Sequence, residues 1–225
     1  MCMVTAVLKP HTRRHEFTIP RDRLGVALTV LSSARLRYLR ALCVSFTLML
    51  LWAASPAAST RRPGQPEIRV ADLERRVHEL INRTRLEHHL NALVFDDRLA
   101  RIARGHSRDM ATRHFFSHAN PDGEDATARG RRAGFTCRKP ISANSYRDGL
   151  GENLYQDNLY SRIRIRGTER SYDWNSSDEL AANSLRAWMN SPGHRHNILD
   201  KVYSQTGIGI AISNDDKVFI TQVFC

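Results

Sequence analysis

The chain lacks the short signatures that mark several common enzyme classes. HExxH is absent, as are the Gly-x-Ser-x-Gly elbow, the P-loop and the dinucleotide-binding glycine pattern. Nothing reads as a catalytic triad, and there is no internal repeat or low-complexity tract. Cysteine is scarce, with four in 225 residues. Long apolar runs are nearly missing too. The one clear case, residues 41–54 (ALCVSFTLMLLWAA), is too short to be a comfortable membrane span. Basic residues are not interleaved with aromatics in any stripe, so nucleic-acid binding is not expected.

What flanks the apolar run gives it a meaning. Arg35, Arg37 and Arg40 precede it and the small residues of SPAAS follow, which is the layout of a secretory signal peptide cleaved near Ala57 to Ser59. The stretch ahead of it is long for a basic n-region, which also fits a later initiator. An uncleaved anchor is the alternative, and it would be the only tie to a membrane. Residues 1–59 hold eight Lys or Arg and two acids, and so +6 of the formal +11. The remainder keeps +5, a mildly basic surface that favours anionic cell-surface material. Removing that segment also removes Cys2 and Cys43. The pair that stays, Cys137 and Cys225, reads as one disulfide pinning the last residue to the GFTC turn. Two free buried thiols are the alternative, and a zinc site on cysteines so far apart is disfavoured.

Residues 60–67 (TRRPGQPE) contain two prolines, a glycine and no apolar side chain, and read as a linker. Periodicity then begins. Val70, Leu73, Val77, Leu80, Ile81 and Leu86 recur at near-helical spacing, which predicts an amphipathic helix over 68–90. Asp96 or Asp97 can cap a second helix whose inner face is Leu99, Ile102, Ala103, His106 and Met110. Residues 117–150 read as loop-rich. Residues 157–177 are polar and basic, with an alternating SRIRIR that reads as a strand without an assigned place. Ser176 and Glu179 form a capping box for a helix running to about Asn190, where Pro192 and Gly193 stop it. GIGIAIS and KVFITQVF, flanking Asn214 to Asp216, predict a β-hairpin. This order implies one α+β domain over 68–225.

Three polar segments stand out from that frame: FFSHANPDG with His118, GENLY with Glu152, and AWMNSPGHRHNIL with His194 and His196. None has a plain helix or strand pattern, and each sets a titratable side chain beside turn residues. Two imidazoles and a carboxylate brought together could bind a divalent metal, handle protons or grip a polar ligand. A turn after the aromatic pair would aim His118 into a cleft. A turn at the loop glycines would present the Glu152 carboxylate, unless it serves as a hydrogen-bond hub at a helix start. His194 is either a ligand or a cap for the last carbonyls of the helix before it. His194 and His196 share a side only in an extended chain, so at most one should join His118. His106, on an apolar helix face, reads as a core histidine satisfied by a hydrogen bond, and His114 as structural.

Taken in order, GHSRDM, FFSHANPDG, the RRAGF turn, GENLY, AWMNSPGHRHNIL, TGIGIAI and ITQVF resemble the CAP superfamily. That superfamily is the secreted domain of cysteine-rich secretory proteins, antigen 5 and group 1 pathogenesis-related proteins; the match is to its bacterial and archaeal SCP-like branch. The resemblance covers about residues 73–225. It implies an α-β-α sandwich with a small antiparallel sheet between helical layers, and a central cleft lined by two His and two Glu. Carried over, these fall on His118, Glu152 and His194, while the second Glu position holds Ser191, so the tetrad is incomplete.

The reading the resemblance favours is an exported, non-enzymatic module that binds a ligand at this cleft. Lipid or sterol, an anionic cell-envelope polymer, a host protein and a divalent metal are the implied candidates. The alternative is a metal-assisted hydrolase of peptide or cell-wall substrate, with zinc held by His118 and His194 and Glu152 as the base. A third reading makes the chain an adhesin or scaffold, recognising partners through loops 140–175 and their aromatics Tyr146, Tyr155, Tyr160, Tyr172 and Trp174.

Overall fold

Helix phase and capping chemistry set the first elements of the computed structural model, which describes residues 61–225. The apolar run at 41–54 read as a signal, Cys2 and Cys43 lie outside the described residues. Helix α1 (Val70–Glu87) turns Leu73, Val77 and Ile81 inward. Asp96 caps α2 (Asp97–Arg113), accepting from the N–H of Arg98 at 2.7 Å and of Leu99 at 3.1 Å. The capping box of Ser176 and Glu179 starts α4 (Ser177–Asn190) as expected. Among the described residues no helix is long and apolar enough to cross a membrane.

The expected hairpin forms the centre. Strands β7 (Gln205–Ile212) and β8 (Lys217–Phe224) pair antiparallel, and β8 pairs antiparallel with β4 (Gly151–Asn158). A short β1 (Val94–Phe95) adds to β7 in parallel, giving the order β1-β7-β8-β4. Successive side chains of β8 face opposite layers. Val218, Ile220 and Phe224 join Leu73, Val77, Ile81, Leu180 and Trp188 in one core beneath α1 and α4. Phe219 and Val223 point the other way and meet α2. Helix α2 lies so close to β7 that a Cβ at Gly207 or Gly209 would overlap the backbone of Ala100 and Arg104. Glycine is therefore required at both positions by the approach of the helix. Ser107 Oγ donates to Gly209 O across the same contact at 2.8 Å.

The structure adds elements to the sequence reading in three places. Helix α4 ends at Asn190 ahead of Pro192, as expected, but Pro192 also begins a helix: Ser191 closes α4 and opens α5 (Pro192–Leu199), with proline at the start where its missing N–H costs nothing. The segment read as loop-rich contains α3 (Ala126–Arg132) and a hairpin of β2 (Arg138–Ser142) and β3 (Ser145–Asp148). The SRIRIR stretch is β5 (Tyr160–Arg166), paired with β6 (Glu169–Trp174) outside the main sheet. On that hairpin Tyr160, Tyr172 and Trp174 pack on one another, and Trp174 Nε1 donates to Pro63 O at 3.3 Å. Arg62 pairs with Asp216 at 3.1 Å, so residues ahead of α1 touch the domain as well.

Cys137 and Cys225 are joined, 88 residues apart in sequence, beside Leu99, Phe135 and Val223. Periodicity gave no sign of Arg85, which is 1% exposed. Its guanidinium donates to the carbonyls of Asn91 at 2.8 Å, Ile198 at 2.6 Å and Asp200 at 3.0 Å, tying α1 to the end of α5.

Candidate functional site

The GENLY segment is neither turn nor helix start; it is the first half of β4, and strand alternation decides where its polar groups go. Glu152 registers against Val223 and so faces the layer of α2. Asn153 faces the opposite layer, where its amide donates to His194 O at 3.2 Å and accepts from Asn197 Nδ2 at 2.9 Å. Asn197 Nδ2 also donates to Glu152 O at 3.2 Å. Edge strand and α5 are thus laced together by two asparagines, and His194 is delivered to the rim of the cleft.

The Glu152 carboxylate is buried, with one donor on each oxygen. Its Oε2 accepts from Arg129 Nη2 at 2.5 Å, and its Oε1 accepts from His118 Nδ1 at 2.9 Å. Arg129 also donates from Nη1 to His118 O at 2.9 Å and to Glu124 O at 2.7 Å. One guanidinium therefore fixes both the carboxylate and the loop bearing His118. With Nδ1 committed to Glu152, Nε2 is the His118 nitrogen left for another partner. The rings of His118 and His194 stand 6.3 Å apart, centre to centre, at 47°. Burial, and then the neighbouring His118, hold the His194 imidazole below the usual histidine range, so it favours the neutral form.

A third imidazole stands behind the carboxylate. His106 is 1% exposed, with Nε2 4.0 Å from Glu152 Oε1. Nε2 donates to Ser117 O at 3.0 Å, which leaves Nδ1 as the acceptor, buried and without a partner. Burial is the main cause holding this ring below the usual range; Glu152 opposes it and Arg129 adds to it. The sequence reading of a core histidine with a hydrogen bond describes one of its two nitrogens.

The structure brings His118, Glu152 and His194 together and leaves other candidates aside. His196, two residues along a helix, turns to Asp200 at 3.8 Å. Ser191 sits at the junction of α4 and α5, its N–H bonded to Trp188 O at 3.1 Å. His114 takes the left-handed C-cap position of α2. The residue missed from the sequence is Arg129. ARGRR offers three arginines with nothing to choose between them until α3 is drawn, when Ala126, Arg129 and Gly130 fall on its buried face.

As a donor set for zinc the cluster falls short. Among the described residues no group of three His, Cys, Asp or Glu is placed to hold a metal. His118 and His194 offer two imidazoles, while Arg129 and His118 already take both Glu152 oxygens. This does not fit a centre of three protein ligands.

A profile of the cysteine-rich secretory protein family (CAP) matches residues 78–224. The uncharacterized protein YkwD of Bacillus subtilis is 28% identical over 157 residues, 70% of this chain and 49% of its own length. The chain spans 34% and 49% of the length of the curated relatives it matches. An extracellular protein containing an SCP domain from Bacillus anthracis is 27% identical, over 68% of this chain and 40% of its own, with a TM-score of 0.48. An outer surface protein from Borrelia burgdorferi is 18% identical, over 71% of this chain and 96% of its own. Its TM-score of 0.50 reflects a shared fold.

Proposed function

The chain belongs to the cysteine-rich secretory protein (CAP) family, and from that membership we propose an exported, non-enzymatic module that binds a polar ligand between His118 and His194. The observation that carries this reading is the state of Glu152. A general base must be within reach of the proton it takes, and the Glu152 side chain is only 4% exposed. Here one oxygen is held by a buried guanidinium and the other by His118. The carboxylate orients the His118 ring, and the cleft offers imidazole nitrogens as its binding groups. Export is supported by the signal-like segment and by the disulfide, which belongs to an oxidising compartment.

The hydrolase reading needs a third metal ligand and an accessible carboxylate; among the described residues no third ligand is placed with the two imidazoles, and Glu152 is buried. The adhesin reading loses part of its support, because Tyr160, Tyr172 and Trp174 are occupied with one another. The test is calorimetric zinc titration of the purified protein, with His118→Ala and His194→Ala beside it. Absent or millimolar-range binding that both variants leave unchanged is expected. Micromolar binding lost in both variants would sink the reading and reinstate a metal centre.

A further inference from the structure

A groove runs along the outer side of α2, and neither His118 nor His194 lines it. It encloses about 710 Å³ between α2, α3 and the turn at Gly134. We propose that this groove is a second binding site, and that it takes a phosphate ester carrying a free hydroxyl.

The charge of the groove is the first reason. Its acids are paired locally: Arg113 holds Asp122 and also reaches Asp109 at 3.5 Å, and Arg132 holds Glu124 at 2.8 Å. Arg98 pairs with Asp96 at 3.0 Å and Arg129 with Glu152. Arg101 and Arg108 line the same groove and hold no ion pair among the described residues. Seven residues apart on one helix, they stand on one face about 10 Å from each other along its axis. Guanidinium forks so placed suit phosphate oxygens.

Gly105 is the second. It lies between the two arginines on the same face of α2 and lines the groove. Glycine weakens a helix interior, yet nothing stands within 4 Å of where its Cβ would be. Neither packing nor backbone strain calls for glycine here, and any larger side chain would fill the space. The groove is the one feature that the missing side chain serves.

The wall of the groove is the third. His106 and Arg129 both line it, 1% and 5% exposed, and each keeps a buried nitrogen without a hydrogen-bond partner. His106 Nδ1 is an acceptor, because Nε2 donates to Ser117 O. Arg129 Nε is a donor. Both nitrogens lie within the wall; a hydroxyl suits the first, a phosphate oxygen suits the second, and the apolar side of the groove at Ile102 and Phe135 suits carbon. A polyol phosphate has all three. It occurs free or as the headgroup of an anionic phospholipid.

The test separates these sources. Purified protein is titrated with sn-glycerol 3-phosphate by calorimetry, and sedimented with phosphatidylcholine vesicles made with and without phosphatidylglycerol. Wild type should bind the free ester, and Arg101→Glu/Arg108→Glu should weaken it by about tenfold or more. Gly105→Leu, which favours the helix and fills the groove, should weaken it equally, and His118→Ala should leave it unchanged. Binding confined to phosphatidylglycerol vesicles, with the same losses, supports the site with lipid as the source. Three outcomes overturn the proposal: no binding to either probe, binding that neither variant reduces, or loss in the charge variant alone, which would put the anion on the helix surface outside the groove.

Discussion

The two faces of the sheet are built on different principles. Beneath α1 and α4 runs one continuous apolar core from Leu73 through Trp188 to Phe224. Beneath α2 the apolar contacts divide into two small clusters, around Leu99 and Val223 and around Met110 and Phe219. Between them lie His106, Ser107, Glu152 and Thr221, all buried. The first face is held by area removed from water. The second is held by a disulfide, a buried ion pair and a helix pressed against two glycines. Polar groups are costly to bury unless partnered; on the first face the buried Arg85, Asn153 and Gln222 all find partners, whereas on the second His106 Nδ1 and Arg129 Nε do not.

The largest expected effect lies on the polar face. Replacing Cys137 and Cys225 together by serine should cost roughly 4–5 kcal/mol, because the bridge closes a loop of 88 residues in the unfolded chain. Urea unfolding measures it, and a loss below about 1 kcal/mol would mean that noncovalent contacts alone hold that face. Next comes the apolar face. Trp188→Ala removes a side chain that is 1% exposed and whose Nε1 donates to Leu154 O at 2.9 Å. It should cost about 3–4 kcal/mol. If it costs far less, the continuous core is not what sustains this layer.

A smaller effect probes the ion pair. Glu152→Gln keeps the shape but leaves the buried Arg129 without its counter-charge, at a cost of about 3 kcal/mol. Adding Arg129→Met should return part of that loss, since the two sites are directly coupled. A double variant no more stable than Glu152→Gln alone would show that Arg129 acts mainly by holding the His118 and Glu124 carbonyls.

How much of this could be read in the sequence follows the same division. Apolar spacing and caps located α1, α2, α4 and the β7–β8 hairpin, because burial and capping are local signals. The motif resemblance brought His118, Glu152 and His194 together. Arg129, Asn153 and Asn197 went unseen, because each is defined by partners many residues away and looks like any surface polar residue in its own segment. Pro192 was half read for a different reason: it marked the end of α4 but not the start of α5. Proline forbids continuation of a helix but favours the first turn of one, and the two signals look alike until the next turn is known to fold. Gly105 carried no message in the sequence; its meaning lies in the empty space beside it.

The smallest expected effect is a pH dependence that tells the faces apart. His106 and His194 are both held below the ordinary histidine range, chiefly by burial. In the unfolded chain each titrates near 6.5. Below that value the unfolded state binds more protons than the folded one, so stability should be full above about pH 6.5 and fall as pH drops through the lower folded values. Thermal unfolding followed between neutral and mildly acidic pH should therefore show Tm declining on acidification. His106→Gln removes one of the two groups and should flatten the decline, even though it lowers Tm at neutral pH. A Tm that rises on acidification would mean the imidazoles are stabilised as cations, with Glu152 outweighing burial. An unchanged slope in His106→Gln would move the dependence to His194, and with it to the rim of the cleft and away from the polar face under α2.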